Sequence, residues 1–386
     1  MADKQTVIIG GGIGGLATAC LLSKAGYKVT VIEKNEQLGG RAGMLEVNGF
    51  RFDTGPSWYL MPDVFEHFFE LMGEDVHKHL KLVKLAPSYR VFYKGTGQQI
   101  DMTGDFATDA AAFATMEPGA DAQLEKYLAR SAYMYHTSVE RFLYKNYDRM
   151  SDFITPEVMK AGAKMAIFST MDRCVRRYFR DPRLQKIMEY PLVFLGASPY
   201  NAPALYSLMS HVDFTQGVYY PMGGMYELVR TLVRLGKKYG VHYRINTPVE
   251  QIVVTDGRAQ GVVAGGKTFA ADVVISDADI HHTETKLLQS DERDHSPRYW
   301  RSRTLAPSAL LMYLGVDKQY PSLAHHNLLF SQDWQRNFAE IFGKQAQFPT
   351  DPSLYVCAPG KTDPSVAPKG KENLFVLVPM AAGLHY

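Results

Sequence analysis

The stretch Thr6–Gly43, TVIIGGGIGGLATACLLSKAGYKVTVIEKNEQLGGRAG, decides the fold. It opens on Val7, Ile8 and Ile9. A β-branched run without alternation is the pattern of a parallel strand buried on both faces. Gly10, Gly12 and Gly15 follow in G-x-G-x-x-G spacing. The first glycine allows a tight turn, the second lets a pyrophosphate approach the backbone, and the third lets a helix lie close to the strand. Leu16 to Lys24 reads as that helix, with Leu16, Ala19, Cys20 and Leu22 available to face a sheet. Gly26 stands where a left-handed C-terminal cap belongs. Lys28 to Ile32 reads as a second strand closed by Glu33. An acid at that distance takes the ribose hydroxyls of a dinucleotide, and its charge disfavours a 2′-phosphate. Strand, turn, helix, strand and acid in this order predict an α/β dinucleotide-binding unit.

Working outward, 386 residues that are 46% hydrophobic suffice for a large core and about two domains. The 42 basic and 40 acidic residues leave a net charge of +2, which gives nucleic-acid binding no support. Cys20, Cys174 and Cys357 are scattered and form no C-x-x-C, as in a reducing compartment. MADKQT runs straight into the first strand without a secretory apolar core. No apolar run approaches the ~20 residues of a membrane-spanning helix. A cytoplasmic chain that does not cross a membrane is expected.

Past Glu33, Gly39, Gly40 and Arg41 form a second glycine turn that can bring backbone N–H groups and a guanidinium to a pyrophosphate. A strand at Phe50 to Phe52 then leads into Asp53-Thr54-Gly55-Pro56. Here the sequence resembles the FAD-containing amine oxidase and phytoene desaturase superfamily. The resemblance implies FAD, held by Gly10, Gly12, Ile13, Gly14, Gly15, Glu33, Lys34, Gly40, Arg41, Asp53, Gly55 and Pro56. Further along, Pro221-Met222-Gly223-Gly224 precedes an expected helix from Met225 to Lys238, and Asn246-Thr247-Pro248-Val249 follows the strand VHYRIN. The resemblance places Gly223 and Gly224 at the flavin ring and the Val249 backbone on the adenine.

The fold class expected is therefore a Rossmann-type α/β FAD-binding domain with an inserted α+β substrate domain. The FAD domain would comprise residues 1–90 and 221–285, and the substrate domain a mostly helical part, 91–220, and a second part, 286–386. Met61 to Gly73 reads as a helix, Tyr89 to Met102 as a hairpin turning at Gly95 to Gly97, and Pro118 to about Leu195 as mostly helical and rich in aromatics. Arg173, Arg176, Arg177, Arg180, Arg183 and Lys186 form either a solvated helix face or a contact for anionic headgroups. His281-His282 and His325-His326 suggest a metal, but neighbours on a strand point apart and no Cys or carboxylate stands at ligand spacing, so no metal is expected.

FDTGPSWYLMPDVFEHFFELMG, YPMGGMYELV and PSLYVCAPGKTDPSVAPKGKENLFVLVPM resemble bacterial-type phytoene desaturases, the carotenoid desaturase branch, along essentially the whole chain. The resemblance implies desaturation of phytoene or a close polyene by hydride transfer to flavin, with electrons passed to quinone or O₂. A hydrocarbon offers only apolar area to bind, and it resides in a bilayer, so docking at the inner membrane surface is expected. The Gly/Pro-rich segment and last helix that close the flavin site in the family are not matched, so a C-terminal FAD-closing segment is expected to be absent. The alternatives are a carotenoid isomerase, an amine-oxidase-type enzyme, or an inactive flavin- or lipid-binding fragment. Asp152 is a weak candidate base, with helix capping the blander reading.

Overall fold

The computed structural model describes residues 3–155, 169–343 and 346–384. The chain forms two compact units, Met1–Val83 with Tyr220–Thr304, and Lys84–Tyr219 with Leu305–Tyr386. The divisions expected at 90/91, 220/221 and 285/286 fall instead at 83/84, 219/220 and 304/305. Tyr89–Tyr93 pairs into the second unit's sheet. Leu287 joins the buried cluster around Val7, Ile9 and Ile32, which holds the residues after 285 in the first unit.

The first unit is built on a parallel four-stranded sheet in the order Val273–Ser276, Gln5–Ile9, Lys28–Ile32, His242–Arg244. The uninterrupted apolar run at Val7 to Ile9 feeds both faces. Ile8 packs with Ala19, Val29, Val31 and Val241. Val7 and Ile9 pack with Ile252, Val262, Ala264 and Ala271. Helix Ile13–Lys24 lies beside helix Tyr226–Lys238, where the Cys20 thiol donates to Leu232 O at 3.3 Å and the Ser23 hydroxyl to Tyr239 O at 2.7 Å. The opposite cluster draws on an antiparallel sheet, Val249–Thr255, Arg258–Ala264 and Lys267–Ala270. Its hairpin turns at Asp256-Gly257 with φ of 50° and 71°, the two positive values a two-residue turn of this hand requires.

The second unit carries a six-stranded sheet in the order Ser308–Val316, Glu372–Met380, Leu354–Cys357, His326–Phe330, Tyr89–Tyr93, Gln99–Met102. All pairs are antiparallel except His326–Phe330 with Tyr89–Tyr93. Helices Phe106–Met116, Ala120–Ser138 and Pro182–Glu189 supply the helical part. Much of the aromatic content that the sequence concentrates here forms core: Phe113, Tyr127, Phe179 and Phe214 meet edge to face at 5.7 to 6.0 Å. Such pairs contribute about 0.5–1.5 kcal/mol each beyond their burial. Among the described residues no helix is long and apolar enough to cross a membrane.

Candidate functional site

The glycine turn joins strand Gln5–Ile9 to helix Ile13–Lys24 at the carboxyl edge of the parallel sheet, where ligands of such sheets bind. Gly10 has φ of 99°, the left-handed region open to glycine. A Cβ on Gly15 would stand 2.4 Å from Gly10 O, so only glycine lets the helix start this close to the strand. A Cβ on Gly12 or Gly14 would meet the Asp277 carboxylate at 2.8 and 2.6 Å. Ile13 begins the helix and Gly14 is exposed beside it. The helix N-terminus and its backbone N–H groups form a cradle for an anion.

Glu33 ends the second strand and is 5% exposed. Its carboxylate accepts from the Gly11 N–H at 2.8 Å and the Asn35 N–H at 2.9 Å. The Glu33 carbonyl accepts from Thr247 N–H and the Asn35 carbonyl from Asn246 N–H, both at 2.9 Å. The Asn246–Val249 segment is thus fastened beside Glu33 and the exposed Lys34, although more than half of the chain separates them in sequence.

The second glycine turn lies flush against the first. Gly39 N–H donates to Gly11 O at 2.7 Å, and a Cβ on Gly40 would stand 3.2 Å from Gly12 Cα. The Arg41 side chain is exposed, and its carbonyl lies so close to Gly55 that a Cβ there would collide with it. Pro56 is exposed next to it. Asp53 closes strand Phe50–Asp53 and accepts from the backbone N–H of Met225 at 2.8 Å and of Tyr226 at 3.0 Å. It caps helix Tyr226–Lys238, whose first turn follows Gly223 and Gly224, both at positive φ. Burial pushes the Asp53 carboxyl up to about 6, partly offset by the two backbone donors and Arg51.

All fifteen residues named for the cofactor fall in the first unit. The site fits FAD on its own geometry: glycines whose surroundings crowd any added side chain, a buried acid at the end of the second strand, and a second glycine turn in contact with the first. Sequence reasoning missed Asp277, which follows the edge strand Val273–Ser276 and borders the first turn. The clue is its place at the carboxyl end of a parallel strand.

Asp152 lies in the second unit, in the short turn Met150–Phe153, where it accepts from Arg149 N–H at 2.9 Å. Its observed role is local capping. Three of the cationic cluster have partners within the protein: Arg176 pairs with Asp172 at 2.7 Å, Arg183 chelates Asp181, and Lys186 donates to Ser331 O at 2.7 Å.

Two buried polar groupings in the second unit escaped the sequence. Asp213 accepts from the hydroxyls of Tyr89 at 2.8 Å and Tyr190 at 2.9 Å, and burial pushes its carboxyl up to about 7 against those hydrogen bonds. No Cys stands at ligand spacing from the paired histidines in the sequence, but the fold brings Cys357 beside them. Strand register sets Cys357 opposite His326, and His325 lies in the bend before the strand, outside the pleat that would have turned it away. Burial holds His325 down at about 3 and His326 well below the usual range.

Comparison with known proteins extends this geometry. Residues 13–385 match the flavin containing amine oxidoreductase family. The chain is 48% identical to a carotenoid 3,4-desaturase of Haloarcula japonica, covering 100% of this chain and 78% of that protein. It is 35% identical to a zeta-carotene-forming phytoene desaturase of Myxococcus xanthus, covering 98% and 72%. Among solved structures, it shares its fold with a Pyrococcus furiosus protein at TM-score 0.64 and 16% identity, covering 98% of this chain and 81% of that one. Putrescine oxidase bound to putrescine aligns at TM-score 0.60 and 16% identity, covering 98% and 76%. The chain therefore belongs to the flavin containing amine oxidoreductase family, in its carotenoid desaturase branch, and is an FAD-dependent oxidoreductase.

Proposed function

We propose that this protein desaturates a carotenoid-type polyene. The observation that carries the reading is the 48% identity along the whole chain to a carotenoid 3,4-desaturase, on a chain whose first unit keeps the glycine cradle and the buried acid. FAD bound there would accept the hydride removed from a saturated carbon, while a proton leaves the adjacent one. The glycine turn would admit the pyrophosphate, and Glu33 would take the adenosine ribose hydroxyls and turn away a 2′-phosphate. Gly223, Gly224 and the cap supplied by Asp53 would fix the segment along the flavin. The second unit would hold the polyene. The sequence has no second dinucleotide turn for a nicotinamide, which favours quinone or O₂ as the final acceptor.

The more similar relative is named for the 3,4 bond, which favours a carotenoid that already carries conjugation. The Myxococcus relative at 35% identity supports phytoene as the second reading. Either substrate partitions into a bilayer, so the protein would work docked on the inner membrane surface. Expression in cells that accumulate phytoene, and separately in cells that accumulate a coloured carotenoid saturated at its 3,4 bonds, decides between them. A product lacking two hydrogens from the second pool alone supports 3,4-type desaturation, and one from the first pool supports phytoene. No new product from either, with flavin-loaded protein present, would sink the reading.

A further inference from the structure

The sheet of the second unit buries three soft or borderline metal-binding side chains together. His326 opens strand His326–Phe330 directly across from Cys357, and His325 precedes it in a bend. The two imidazole centroids are 4.4 Å apart. One ligand nitrogen from each ring and the Cys357 sulfur all lie within 4.8 Å of one another. None of the three residues is more than 4% exposed. Each ring is also held by a hydroxyl: Nδ1 of His325 meets Thr362 Oγ1, and Nδ1 of His326 meets Tyr355 Oη, both at 2.7 Å. A hydroxyl on one imidazole nitrogen sets the ring's orientation and directs the other nitrogen to the metal.

We propose that His325, His326 and Cys357 form a structural site for a single d¹⁰ cation, Cu(I) or Zn(II). Thiolate and imidazole together select these ions over the hard cations that prefer oxygen. The arrangement is closed, with all three donors buried, as in sites that stabilise a fold and not in those that keep a position open for substrate. A three-donor N₂S set completes the coordination of Cu(I), whereas Zn(II) would draw a fourth donor into the cluster. Loading exchanges the Cys357 thiol proton for the cation, and the proton leaves to solvent with no change of oxidation state. The bound ion would tie strand His326–Phe330 to strand Leu354–Cys357 near the turn that carries Thr362.

The test starts from the full chain purified through a tag that contains no histidine. Metal content is measured by mass spectrometry as isolated, and again after titrating the metal-free protein with Zn²⁺ or, anaerobically, with Cu⁺. The proposal expects about one tightly held ion per chain and a rise in thermal midpoint on loading. Cys357→Ala and His325→Gln should each weaken binding by tenfold or more, and both should melt at the same temperature with and without the ion. Two substitutions are used so that one still reports if the other does not fold. A parent chain that takes up neither ion, or both variants binding as tightly as the parent, would overturn it. Copper uptake without zinc, or zinc without copper, would identify the ion.

Discussion

At the scale of single residues, the glycine turn separates positions that can yield from one that cannot. A Cβ at Gly15 meets backbone, the Gly10 carbonyl at 2.4 Å, whereas a Cβ at Gly14 meets only the Asp277 side chain at 2.6 Å. Gly15→Ala should therefore abolish flavin loading, cutting FAD affinity at least about 100-fold, the equivalent of about 3 kcal/mol. Gly14→Ala should lose far less, and adding Asp277→Ala should restore most of that. Titrating apoprotein with FAD checks the ranking, and equal losses at positions 14 and 15 would contradict it. Glu33→Ala should weaken FAD binding about tenfold or more by removing the proposed ribose partner, read in the same titration.

Two buried carboxyls make a second prediction at this scale, with a definite sign. Asp213 is pushed up from 3.8 to about 7, and Glu189, which accepts from Trp334 Nε1 at 2.8 Å, from 4.5 to about 8, in both cases by burial first. Each group holds its proton more tightly folded than unfolded. The stability this supplies is complete below the unfolded value and is lost as pH rises through the folded one. For Asp213 the window runs from about 4 to about 7. Asp213→Asn keeps the shape and removes the titration, so it should flatten the fall of stability across that window by roughly 1–3 kcal/mol. Urea unfolding of parent and variant at pH 5 and pH 8 measures it, and parallel pH dependences would refute it.

At the scale of elements, what the sequence shows depends on how local the physics is. The unit from Gln5 to Glu33 was legible because glycine turn, helix and second strand lie within one short run, and each step has its own residue signature. Helix Met61–Gly73 appears as Pro62–Leu71, with proline in its first turn. The Tyr89–Met102 hairpin forms as read. Cys357 was illegible because strand register alone sets it opposite His326, and Asp213 because the fold brings its helical turn, Val212–Gln216, to Tyr89 and Tyr190 from elsewhere in the sequence. The same long-range logic gives Asp53 its second role as cap of helix Tyr226–Lys238. Asp53→Ala should destabilise the first unit by about 1–2 kcal/mol. Asp53→Asn, which keeps the acceptor oxygen, should cost less. Thermal unfolding followed by flavin fluorescence separates the two, and equal losses would mean that capping is not what Asp53 provides.

At the scale of the whole molecule, the chain passes from the first unit to the second and back, then enters the second again at 304/305. Discontinuity was legible because the α/β pattern resumes at Pro221 after a helical stretch. The exact divisions were not, because they follow from which sheet Tyr89–Tyr93 joins and which core takes Leu287. The second unit ends its sheet on Ser308–Val316, which among the described residues pairs on one side only, with Glu372–Met380. Leu310, Leu311, Met312 and Leu314 are exposed along it. An apolar edge of that length is a template for pairing with another chain. Leu311→Lys should lower self-association of the 386-residue chain in light scattering. An unchanged size distribution would remove the edge from consideration.

In the proposed reaction, FAD in the first unit takes a hydride from a polyene. The most direct measurement mixes the FAD-loaded protein, without oxygen or quinone, with liposomes carrying the candidate carotenoid. The oxidised flavin's visible absorption should bleach in step with a product two hydrogens poorer, one product per flavin until an acceptor is added. A flavin that stays oxidised while the polyene is unchanged, or merely isomerised, would contradict it.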